Sequence, residues 1–169
     1  MIGLKFNSLF KPQPVLDAAE RARRKNLAYA GAYLRKVARN SLKVAKQKTD
    51  TELSAKEQQI LAIRRRKAAE QGLPMPKRPL AHSRPGEPPR LRKSGSSLKA
   101  MIRFAYEAAN RTEVIGPQLK KPFNPTVPQL LEHGGKAQHG EVEPRPFMEP
   151  ALQKTLPQFR DIWRDSVRA

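Results

Sequence analysis

Leu27, Ala30, Leu34, Val37, Ser41 and Val44 recur at intervals of three and four, the single narrow stripe of a long helix. Between Val15 and about Gln47 there is neither Pro nor a Gly-rich break, only Gly31, so that helix is expected to run the whole stretch. Pro12 and Pro14 punctuate its start, and Asp17 and Glu20 place acid near its N-terminus, where the macrodipole favours it. Ala22, Ala28, Ala30, Ala32 and Ala38 keep one face small enough for another helix to approach closely, with Tyr29 and Tyr33 on a flank as packing residues. Ser54-Ala55-Lys56-Glu57 has the form of a capping box. It predicts a second helix up to Gln71, with Ile60, Leu61, Ile63 and Ala68 as a thin apolar component, ended by Gly72 and by Pro74, Pro76 and Pro79. A long connection without helix or strand signal leads on to Ser97.

The period then changes. Ala100, Ile102, Phe104 and Tyr106 alternate with Lys99, Arg103 and Glu107, which predicts a strand with one buried face. Ala108-Ala109-Asn110-Arg111 supplies a turn, and Thr112 to Ile115 a return strand stopped by Gly116-Pro117. Pro122, Pro125 and Pro128 exclude continued sheet. Val127 to His133 predicts a short helix ended by Gly134-Gly135, and Glu141-Val142 a further strand piece. Leu152, Leu156, Phe159, Trp163 and Val167 form the stripe of a last, amphipathic helix, expected to pack on the hairpin. Pro150 suits its first turn, whereas Pro157 is expected to kink or split it.

The expected fold is α+β. A basic helical arm with a Pro-rich connector occupies residues 1–82. A body at 83–169 sets a small antiparallel hairpin against the C-terminal helix. Charge sharpens this division. Of 34 Lys/Arg and 15 Asp/Glu, residues 1–97 hold 23 and 7, a net of +16, while residues 98–169 hold 11 and 8, a net of +3. Self-repulsion of that size opposes a compact state unless a polyanion or partner screens it. The cations expected to make such contact are Arg21, Arg23, Arg24, Lys25, Arg35, Lys36, Arg39 and Lys43 on the first helix, and the run Arg64, Arg65, Arg66, Lys67 on the second. No finger, RNP or basic-zipper pattern accompanies them, so contact is expected with the phosphate backbone and not with bases.

Signatures of catalysis are missing. There is no Cys, no Walker-type loop and no Gly-x-Ser-x-Gly elbow. Glu132, His133, His139, Glu141 and Glu143 crowd twelve residues, but their spacing fits no familiar ligand set and reads as a polar turn. The expectation is a non-enzyme with no cofactor and no metal. No apolar run nears the ~18 residues of a membrane span, and Met1 to Phe6 lacks the pattern of a signal peptide, so no membrane partner is expected.

Two stretches carry a family likeness. One is Ser83-Arg84-Pro85-Gly86-Glu87-Pro88-Pro89, then a basic segment, Ser94-Gly95, Leu98, the strand through Phe104, and Val114-Ile115-Gly116-Pro117. The other is Leu131-Glu132-His133-Gly134-Gly135 followed by Pro144-Arg145-Pro146-Phe147-Met148-Glu149-Pro150-Ala151-Leu152. In this order they resemble the head–tail joining and tail-completion proteins of tailed bacteriophages. Ser96-Ser97 read as extra residues against that pattern, and the region before residue 83 is longer and more basic than a compact member needs. The resemblance implies a structural virion protein of the neck. It would form a homo-oligomeric ring around the DNA channel, contacting portal or adaptor and tail proteins and, non-specifically, duplex DNA. It assigns structural roles to Pro85, Gly86, Pro88, Pro89, Glu132, Gly134, Gly135, Pro146, Phe147 and Pro150. Composition alone would equally suit a non-sequence-specific nucleic-acid-binding protein of ribosomal or architectural type.

Overall fold

A computed structural model of the chain describes residues 12–92, 97–118, 126–138 and 140–164. Of the positions read above, Met1 to Phe6, Ser94, Gly95, Ser96, Pro122, Pro125, His139 and Val167 lie outside them. The element order is α1 (Pro12–Ser41), a 3₁₀ turn at Asp50–Glu52, α2 (Ala55–Glu70), α3 (Ser97–Met101), β1 (Ile102–Glu107), β2 (Thr112–Pro117), α4 (Thr126–His133), β3 (Gly135–Ala137), β4 (Gly140–Val142) and α5 (Met148–Trp163). Two small antiparallel sheets, β1–β2 and β3–β4, stand with the long first helix and the C-terminal helix in a mixed α and β fold.

The core is one cluster: Leu34, Ala38, Leu42, Leu91, Ile102, Phe147 and Ala151, with Val37, Leu98, Ile115, Leu131, Met148 and Phe159 packed on it. It does not respect the boundary expected at residue 82, because α1 supplies Leu34 and Ala38 and the residue after it, Leu42, is 2% exposed. α1 is thus the spine of the body. α5 lies along one side of it and the β1–β2 hairpin along another. Where hairpin and helix meet, Gly31 of α1 receives the Glu113 side chain, and a Cβ at residue 31 would fall on that carboxylate and on Phe104. Burial pushes the Glu113 carboxyl above its ordinary value, since its oxygens find no donor among the described residues.

Several boundaries differ from expectation. α1 stops at Ser41 and not near Gln47. Residues 43–48 turn their backbone groups sideways instead, with Leu91 N–H to Lys43 O (2.9 Å), Ala45 N–H to Leu91 O (2.7 Å), Ala81 N–H to Lys46 O (2.8 Å) and Lys48 N–H to Pro79 O (2.9 Å). The residues between 48 and 79 therefore leave and rejoin the body at one place, as a closed excursion carrying α2. The strand does not include Ala100. Leu98 to Met101 are helical, with the carbonyls of Lys99 and Ala100 held by the Arg39 guanidinium at 2.7 and 3.4 Å. β2 continues through Gly116 to Pro117, which is tolerated because in a two-stranded sheet both strands are edges.

α5 is continuous through Pro157. The hydrogen bond forgone is to the carbonyl of Gln153, and both residues are exposed, so water can take it. The buried face of α5 is Ala151, Thr155 and part of Phe159, one residue behind the apolar stripe. Leu152, Leu156 and Trp163 remain 37%, 43% and 41% exposed. Ala151 and Thr155 are small, which lets α1 approach closely, and the Thr155 hydroxyl donates to Leu152 O at 2.9 Å so that burying it leaves no unmet group.

Candidate assembly junction and polyanion surface

Most residues of the family-like motifs meet at one junction. Gly134 at φ 74° reverses the chain after α4, and a Cβ there would lie 2.9 Å from Val142 O and 3.0 Å from Pro144 Cδ, so both conformation and space call for glycine. The return strand β4 leads into Pro144-Arg145-Pro146. There Arg145 N–H donates to Leu131 O at 2.6 Å, and the Gly86 N–H of the Pro85-Gly86 turn donates to Pro144 O at 2.9 Å. The Arg145 guanidinium reaches Ser83 O at 3.4 Å. Two extended segments, one from each motif stretch, are thereby laced together. Pro88 and buried Pro89 carry the first of them to Leu91 in the core.

Glu132 completes the junction. Its carboxylate accepts from the backbone N–H groups of Phe147 (3.0 Å), Met148 (3.1 Å) and Glu149 (2.8 Å). These are donors that the first turn of a helix leaves without intrahelical partners, and a negative charge there also meets the positive end of the dipole. Phe147 is the N-cap of α5 but offers no capping side chain; it is 1% exposed, among the largest fully buried groups of the protein. So the polar capping comes from α4 while the cap residue itself anchors in the core. Gly135 opens β3 at φ 132°, Pro146 is half-buried, and Pro150 stands exposed in the first turn of α5.

The candidate polyanion contacts divide into two groups. Arg23 and Arg24 pair with Glu20, Arg24 at 3.1 Å. Arg24 lies 5.3 Å over the Tyr106 ring and Arg35 5.4 Å over Phe104. Although desolvation works against it, the Glu20 carboxyl is held below its ordinary value by hydrogen bonds from Arg24 and Tyr106 and by the Arg23 charge. With Arg39 clasping α3, these four cations fasten α1 to the hairpin side of the body and are not free to bind phosphate. Nothing sequential announces this, since each partner lies on another element; the one legible sign is that a Tyr on a half-buried strand face needs a polar neighbour for its hydroxyl.

Arg21, Lys25, Lys36 and Lys43 face solvent, as does Tyr29, 62% exposed. On α1 the spacing 21, 25, 29, 36 keeps to one outward ridge opposite the buried face. The second basic run is exposed throughout, with Arg66 paired to Glu70 at 3.4 Å. Because consecutive helical residues turn by ~100°, Arg64, Arg65, Arg66 and Lys67 point around α2 and not along one face. A rigid duplex lying beside α2 can therefore meet only part of that run.

α2 is well capped despite its exposure. Ser54 Oγ accepts from Glu57 N–H at 3.3 Å, and Glu57 accepts from Ser54 N–H at 3.0 Å. The Lys48 ammonium, 2.7 and 2.9 Å from the two oxygens, and the Ser54 N–H hold the Glu57 carboxyl down to about 2. Among the described residues no group of three or more His, Cys, Asp or Glu is placed to hold a metal ion, and no helix is long and apolar enough to cross a membrane. In comparison with known proteins, the chain matches no protein-family model, no curated protein and no solved structure.

Proposed function

We propose that the protein is a structural component of a phage neck, a ring subunit that joins the portal side of the capsid to the tail around the DNA channel. The observation that carries this reading is the junction. Motif residues spread from Ser83 to Glu149 converge there through Gly86–Pro144, Arg145–Leu131, Arg145–Ser83 and Glu132 with its three amides. Short Pro- and Gly-based motifs that matched a family pattern by accident would have no reason to share one place and one task. The junction does no chemistry; it sets the direction of α5 relative to α4, the kind of precision an assembly subunit needs. In this reading the protein acts without a cofactor, portal or adaptor and tail proteins are its neighbours, and the α1 ridge of Arg21, Lys25 and Lys36 meets DNA phosphates or acidic neighbouring surfaces.

Deleting the gene from the phage genome that encodes it tests the proposal. The expected result, in negative-stain images of lysates, is filled heads and unattached tails, with infectivity restored by supplying the protein. Joined, infectious particles made without it overturn the reading.

The outward ridge with exposed Tyr29 favours a second reading, a free nucleic-acid-binding protein. That reading requires tight duplex binding by the isolated chain, with affinity falling steeply as salt rises. The neck reading requires weak binding by the isolated chain.

A further inference from the structure

α2 is anomalous as an element of a folded body. It has a complete capping box and 16 residues, yet it buries only Leu61 and Ala68 and joins no part of the main core. Helices in proteins are stabilised chiefly by burying one face. The opposite side of α2 instead exposes Ile60 (40%) and Ile63 (58%), and the chain beyond it exposes Leu73 (56%) and Met75 (65%). At ~100° per residue, Ile60, Ile63 and Lys67 fall within ~60° of one another, so the two isoleucines form a short stripe with a cation at its edge.

A second unpartnered stripe lies on α5. Leu152, Leu156 and Trp163 share one side of that helix, and Leu16 of α1, 59% exposed, lines the same cleft of about 720 Å³ as Trp163. The two stripes are on different elements of the chain. Their charges differ as well. α2 holds five Lys/Arg against two Glu, whereas α5 holds Lys154 and Arg160 against Glu149 and Asp161 and is neutral.

We propose that α2 of one copy of this chain docks by Ile60 and Ile63 on the Leu152–Leu156–Trp163 stripe of a second copy. Electrostatics selects the pairing. Copies each carrying +19 repel, and α2 set against a second α2 or against the α1 ridge would bring cation to cation. The neutral α5 stripe is an apolar face that α2 can cover without that penalty. An interface joining two different patches is head-to-tail, and such an interface repeats until it closes into a ring or runs on as a filament. The proposal deepens the ring reading and rests on it. It gives the excursion between residues 48 and 79 a task, which is to reach the neighbour.

The test is complementation between two interface-dead variants of the full chain, Ile63→Asp and Leu156→Asp, followed by sedimentation velocity at about 0.15 M salt. Both positions are exposed, so circular dichroism and melting are expected to match the unaltered protein; Ile60→Asp and Leu152→Asp serve as a second pair should either first variant misfold. The unaltered chain is expected to self-associate. Each variant alone should be monomeric, its association weakened by about tenfold or more. An equimolar mixture should form dimers and nothing larger, because one intact pair of patches remains. A monomeric unaltered chain, whether α2 covers its own α5 or awaits a different protein, overturns the proposal. So does self-association by either variant alone, which would mean like patches pairing, or a mixture that stays monomeric. Failure here together with unjoined heads and tails in the gene deletion removes this interface and leaves the neck reading standing. Dimers in the mixture together with normal particles in the deletion do the reverse.

Discussion

α1 and α2 carry cations at similar density, seven Lys/Arg in 30 residues and five in 16, yet they sit in opposite circumstances. α1 sinks Ala30, Leu34 and Ala38 into the protein and spends Arg23, Arg24, Arg35 and Arg39 on internal partners. α2 keeps its whole basic run in water and is held at its start by Ser54, Glu57 and Lys48. The difference teaches that cation density says little about whether a helix is solvated. What separates the two is the recurrence of small and apolar residues on one face over many turns, which α1 has and α2 lacks. One helix is made by burial, the other by its cap and, in the proposal above, by a neighbour.

If burial makes the first region, its largest penalty should come from the core. Phe147→Ala is expected to cost ~3–5 kcal/mol in global stability, read by chemical denaturation. A loss below about 1 kcal/mol would mean that Phe147 is not the anchor it is taken to be. Glu132→Ala leaves three amides of α5 without their acceptor and should cost about 2 kcal/mol, with faster amide exchange at Met148 and Glu149. Unchanged exchange there would take the capping role from Glu132.

The second region should respond locally and to acid. Glu57 has its folded value depressed from 4.5 to about 2. Its contribution is present in full above pH 4.5 and lost as pH falls through about 2, because in that window the unfolded segment binds the proton more readily. Amide exchange in the first turn of α2 should therefore rise between those pH values while amides under Leu34 and Ala38 stay protected. Ser54→Ala should raise the same exchange at neutral pH, equivalent to about 1 kcal/mol within α2, with no change in the global transition. If either change lowers core protection equally, α2 is not the separate region described here.

Much of the local structure was legible in the sequence because its causes are local. The capping box at Ser54–Glu57, the stop at Gly72, the hairpin turning through Ala108–Arg111 and the reversal at Gly134-Gly135 each depend on a few adjacent residues. Helix ends set by distant partners were not legible. α1 stops at Ser41 because Leu80 and Leu91 offer backbone partners to the residues after it, and those partners are some 35 to 50 positions away. The site was legible only in part: the motif residues could be named, but not that Glu132 caps α5 or that Arg35 lies over Phe104.

By itself, the sequence determined the kinds and order of the elements, the excess of positive charge and the residues from which the junction is built, since propensity, capping and composition act within a few residues. Tertiary structure decided that α1 is a spine and not an arm, that α5 turns Ala151 and Thr155 inward and leaves Leu152, Leu156 and Trp163 in solvent, and which cations are already engaged. Those outcomes turn on how closely two backbones can approach and on which groups meet across the core. Spacing along one chain segment does not contain that information.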